Sequence, residues 1–97
     1  MTEHNIHYSL QIVPKAEGID TYSLVDKAIE IIQSSGLKYM VTPMETVIEG
    51  PYQAIQKIAD DAQKACLDAG AEEVLVFIKM HYRKNSDVTM EEKNLNR

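Results

Sequence analysis

The stretch LKYMVTPMETVIEG, residues 37–50, decides how the rest of the chain must fold. Leu37 to Val41 and Thr46 to Glu49 are two short β-rich runs, separated by the turn-like Thr42-Pro43-Met44-Glu45, whose proline can donate nothing to a sheet ladder. They read as a hairpin. Side chains alternate along a strand, so Glu45, Val47 and Glu49 fall on one side and Thr46 and Ile48 on the other. Two carboxylates on one face of a strand call for a reason, and the neighbouring elements supply the setting for it.

Upstream of the hairpin, Gly36 stops a helix whose apolar residues Leu24, Val25, Ala28, Ile29, Ile31 and Ile32 recur at helical spacing. Ser23, with Asp26 three residues on, is expected to cap its start. Further upstream, Ile6, Tyr8, Leu10 and Ile12 alternate with His7, Ser9 and Gln11, a strand with one face in a core, which Pro14 and Gly18 are expected to end. Downstream, Gly50-Pro51 opens a second helix, whose stripe of Ile55, Ile58, Ala62, Ala65, Cys66 and Ala69 runs to Gly70. The last strand carries Val74, Val76, Ile78, Met80 and Tyr82 on one side, with Leu75, Phe77, Lys79, His81 and Arg83 on the other. A polar tail from Lys84 contains TMEEK, read as a short terminal helix.

The order β-α-β-β-α-β predicts an α+β, ferredoxin-like sandwich: an antiparallel four-stranded sheet with both helices on one face. The opposite face is left to His7, Ser9 and Gln11, to Lys38, Met40 and Thr42, to Glu45, Val47 and Glu49, and to the Leu75–Arg83 series. Such a surface is too apolar for free solvent and too polar for a core. Cover by further copies of the chain, as a dimer or tetramer, is the expectation.

Ninety-seven residues suit a single domain, 1–97. The composition is that of an ordinary soluble protein, and no apolar run approaches the roughly 20 residues needed to span a bilayer, so no membrane partner is expected. The start MTEHNIHYSL has neither a basic nor an apolar leader region, which points to the cytoplasm. A net charge of -5 with scattered basic residues argues against nucleic acid. Cys66 stands alone, excluding an internal disulfide, and reads as a small buried residue. His4 and His7 project from opposite faces of a strand, so no metal site is expected. No nucleophile-base order, phosphate-binding glycine loop or redox pair appears. The loop PKAEGIDTYS also lacks the arginine that an acylphosphatase-type use of this fold would want. The chain reads as a non-enzyme.

GLKYMVTPMETVIEG at 36–50, with LQIVP at 10–14 and KMHYRKNSDVTMEEK at 79–93, resembles the small thiamine-binding proteins of bacteria and archaea, whose hairpin carries a tyrosine, a proline, a threonine and Glu-Gly. The chain departs from many members at Met44 and Glu45, where small residues are usual, and at His81, where an acidic residue is frequent. The resemblance implies subunits that pair through their sheets and hold thiamine or its hydroxymethylpyrimidine portion without transforming it, with no cofactor beyond that ligand. An aminopyrimidine needs polar groups along one edge and apolar groups on its faces. The candidates are Glu45, Glu49, Thr46 and Gln11 for the edge, and Met40, Met44 or Tyr39 beside the ring. Pro43 and Ser23 complete the set. Glu49 has an alternative role, pairing with Lys38 or Lys79 across the sheet. A regulatory or scaffolding module that only self-associates shares every one of these fold-level features.

Overall fold

The computed structural model describes residues 4–93, so the ends of the expected 1–97 domain lie outside the described residues. In order come β1 (Asn5–Lys15), α1 (Thr21–Gln33), β2 (Lys38–Val41), β3 (Thr46–Pro51), α2 (Tyr52–Asp68), β4 (Glu73–His81) and α3 (Met90–Lys93). The strands form one antiparallel sheet in the order β2-β3-β1-β4. With α1 and α2 packed on one face, this is an α+β ferredoxin-like fold. The alternation of β1 explains the core: Ile6, Tyr8 and Leu10 are at most 3% exposed and meet Leu24, Ala28 and Ile32 of α1 and Ile55, Ala59, Ala62 and Cys66 of α2. Tyr8 keeps a partner for its buried phenol by donating to Gln56 Oε1 at 2.9 Å, and burial pushes its pKa up.

Local chemistry moves three boundaries away from the expectation. The cap of α1 is Asp20 rather than Ser23: its carboxylate accepts the Tyr22 N–H at 3.4 Å, while the Ser23 hydroxyl donates to the Asp20 carbonyl at 2.7 Å. A charged acceptor suits the positive end of the helix better than a hydroxyl one turn later. In α2 the buried position falls on Ala59, with Ile58 only half buried and Ala69 exposed at the C-cap. The third change is at Pro14, which does not end β1. The strand runs on to Lys15, paired only with β4.

That last point shapes the sheet. β3 pairs with β1 only as far as Thr46 opposite Leu10, while β4 pairs along β1 from His7 to Lys15. Beyond Leu10, the side of β1 that faced β3 has no ladder partner, and an edge of this kind tolerates proline.

The open face is half covered by the chain itself. After β4, residues 82–93 return as a strap across the beginning of β1. Val88 is 0% exposed, and its N–H donates to the Asn5 carbonyl at 3.0 Å while Asp87 accepts the Asn5 N–H at 2.8 Å. Arg83 pairs with Glu92 and also donates to the Asp87 carbonyl at 2.9 Å. Thr89 and Glu92 cap α3 reciprocally, each side chain accepting the other's N–H. The Arg83 hydrogen bond, with help from the Thr89 N–H, pulls the Glu92 carboxyl down to about 2.

Candidate functional site

Where β1 outruns β3, the hairpin tip and α1 face each other across a cleft of about 230 Å³. Its floor is β1 from Leu10 to Pro14, one wall is Thr21, Tyr22, Val25 and Ile29 of α1, and the other is Val41 to Thr46. Thr42 builds that second wall. Its hydroxyl donates to the Glu45 carbonyl at 2.7 Å and accepts the Glu45 and Met44 N–H groups at 3.1 and 3.3 Å, closing a tight turn that presents Pro43 and Met44 outward. Met44 is consequently 70% exposed at the lip.

On the other side of the tip, a second hollow lies on the open sheet face, lined by Gln11, Thr42, Met44 and Glu45 together with Val76, Phe77, Ile78 and Lys79. The two concavities share Gln11, Thr42, Met44 and Glu45. In the register of the sheet, Ser9 stands between Val47 and Lys79, and Gln11 stands opposite Phe77 with no β3 residue beyond it. The Ser9 hydroxyl, followed by the Lys79 ammonium 3.2 Å away, holds the Glu45 carboxyl below the usual carboxylate range. Glu45 is therefore a charged acceptor at the junction of both hollows.

The structure brings together five of the sequence candidates: Gln11, Pro43, Met44, Glu45 and Thr46 line the cleft. Three stand apart. Ser23 is turned to the Asp20 carbonyl. Met40 sits on β2 beside Val47, on the open sheet face. Glu49 pairs with neither Lys38 nor Lys79; its Oε1 takes His7 Nε2 at 3.0 Å and the Met90 N–H at 2.6 Å, with a side chain only 11% exposed. The reason is the strap, which lowers Met90 onto the end of β3. Tyr39, suggested beside the ring, lies next to Ile48 and away from the cleft. The sequence reading passed over Tyr22, Val25 and Val13, which line the cleft, and Phe77, which lines the second hollow. The signal for them was the mismatch between an eleven-residue β1 and a six-residue β3.

No group of three metal-ligating side chains occurs among the described residues, and no described helix is long and apolar enough to cross a membrane. Residues 8–96 match the thiamine-binding protein family. A UPF0045 protein of Clostridium perfringens is 44% identical over 85 residues, covering 88% of each chain, and one of Methanocaldococcus jannaschii is 31% identical over 84 residues, covering 87% of this chain and 83% of that one. Among solved structures, a domain of unknown function from Bacillus cereus superposes with a TM-score of 0.90 at 48% identity, covering 93% of this chain and 86% of its own. A Thermotoga maritima protein, provisionally named for thiamine biosynthesis or salvage, superposes with a TM-score of 0.81 at 29% identity, covering 92% and 94%.

Proposed function

The chain belongs to the thiamine-binding protein family, and from that premise we propose that it holds thiamine, through its hydroxymethylpyrimidine portion, in the cleft between α1 and the hairpin tip, without transforming it. The observation that carries this reading is the run of β1 beyond Leu10. There a strand edge with no ladder partner, the Gln11 amide and the Thr46 hydroxyl stand beside apolar walls from Val25, Ile29 and Met44. A flat heterocycle with donors and acceptors on one edge and two apolar faces suits that lining. At about 230 Å³ the cleft is below the roughly 300–1,000 Å³ usual for drug-sized ligands, which favours one ring over the whole vitamin.

The protein acts in the cytoplasm as a dimer or tetramer. Met40 and Leu75 on the open face are 54% and 47% exposed, and Ile78 and Met80 on the helix side of β4 are 41% and 43% exposed, an apolar area suited to a second copy. The same exposure favours the second reading, a scaffolding module that self-associates and takes no ligand. Calorimetric titration with thiamine and with hydroxymethylpyrimidine separates the two. Saturable binding of both at one site per chain supports the cleft; no heat with either, on folded protein, refutes it and leaves the scaffold.

A further inference from the structure

Glu45 has a partner whose own attachment is slight. The Lys79 ammonium stands 3.2 Å from the Glu45 carboxylate, yet the lysine side chain is 75% exposed whereas that of Glu45 is 25% exposed. The hairpin holds the Glu45 backbone and the Ser9 hydroxyl its carboxylate, whereas the ammonium ends a flexible arm from the edge strand β4. Exposed ion pairs of this kind separate at little cost, because water takes back the released ammonium. Glu45 and Lys79 both line the second hollow, together with Met44 and with Phe77, 56% exposed, and the hollow shares four lining residues with the cleft.

We propose that the Lys79–Glu45 pair is a counter-ion gate that selects for a cationic substituent on the ligand. This rests on the reading that the pyrimidine occupies the cleft. A ring bearing a positive charge, attached to that pyrimidine, passes the hairpin tip into the hollow, displaces the Lys79 ammonium from Glu45 and lies between Met44 and Phe77. Phe77 contributes its negative ring face to the same charge. Lys79 swings into solvent, so the unliganded protein keeps Glu45 neutralised and the liganded protein keeps the charge balance with the ligand's own cation. A neutral pyrimidine without the second ring leaves the pair closed. Lys79 is thus a specificity determinant that acts by being replaceable, and Glu45 is the group that touches the ligand.

The test is the ratio of thiamine affinity to hydroxymethylpyrimidine affinity, measured by titration at fixed ionic strength on wild type, Lys79→Met, Lys79→Gln and Glu45→Gln. Removing the competitor raises the ratio in both lysine variants by up to about five-fold, the worth of an exposed ion pair. Glu45→Gln lowers the ratio and abolishes the effect of Lys79→Met in the double variant. Equal ratios in all four proteins, with hydroxymethylpyrimidine still bound, overturn the gate while leaving the cleft occupied. Failure of wild type to bind hydroxymethylpyrimidine overturns the cleft reading and the gate with it.

Discussion

Truncating Glu49 to alanine is expected to loosen the strap and leave the cleft intact. The carboxylate accepts from His7 Nε2 at 3.0 Å and from the Met90 N–H at 2.6 Å, and the side chains of His7 and Glu49 are nearly buried, at 7% and 11% exposure. Solvent screening therefore discounts the interaction little. Hydrogen bonds to a charged acceptor contribute roughly 1.5–3 kcal/mol, and removing the acceptor also leaves two donors without a partner. The net cost should be about 2–3 kcal/mol, because water reaches the vacated space and re-solvates part of what is lost. For a domain of this size that corresponds to a fall in Tm of about 8–24 °C. Urea unfolding at one fixed protein concentration measures the cost, and amide exchange at Met90 locates it, since that N–H loses its acceptor and should exchange far faster in the variant. Thiamine affinity should stay within about two-fold of wild type, within the 0.5 kcal/mol usual for sites away from the change. A loss below about 1 kcal/mol, the level of exposed surface pairs, with the Met90 amide still protected, would refute the argument.

Leu10→Ala removes a side chain 3% exposed between β1 and the helices and should cost about 2–5 kcal/mol in urea melts. Gly70→Ala forces a side chain onto a residue at φ +117°, with Ile19 Cδ1 2.5 Å from the added carbon, and should cost about 1–3 kcal/mol. Thr42→Val keeps the volume but removes three hydrogen bonds of the hairpin tip, and thiamine binding should weaken by about ten-fold for each 1.4 kcal/mol of order lost there. Acid should release the strap before the sheet. The Glu92 carboxyl is depressed from 4.5 to about 2, so its contribution is complete above the unfolded value and disappears as pH falls from 4.5 toward 2. Exchange protection at Thr89, whose N–H Glu92 accepts, should fade over that window in wild type, whereas Glu92→Gln should show no such titration.

The fold was legible because its signals were periodic. Ile6, Tyr8 and Leu10 announced the buried face of β1, and the Val-Ile run flanked by Pro43 and Gly50 announced the hairpin; the side chains of β1 and β3 stand on the faces that alternation assigned, whereas Tyr82 and Arg83 fall beyond β4, which ends at His81. Of the cleft lining, the sequence picked out Gln11 on β1 and Pro43, Met44, Glu45 and Thr46 of the hairpin. Pairing across the sheet and return of the tail are long-range events that no local pattern records. Glu49 could be placed on the open face from its parity, but nothing near it in sequence names His7 or Met90, which are 42 and 41 residues away. Ser23 failed for a different reason: a capping signature was present at two neighbouring places, and the carboxylate at Asp20 won. Val25 read only as a helix residue, and Tyr22 and Val13 carried no signal, because their role depends on β3 being shorter than β1.

The strap also closes a margin of β1 and β3 that the rest of the chain leaves open. Residues 5–81 contain all four described strands and both long described helices, and Met90, nine residues beyond the end of β4, completes the shell of the Glu49 acceptor. Any ending of the chain between His81 and Val88 would therefore give a molecule with the whole sheet and core side chains of β1, α1 and α2, but with the Asn5 backbone and the His7–Glu49 pair opened at one margin.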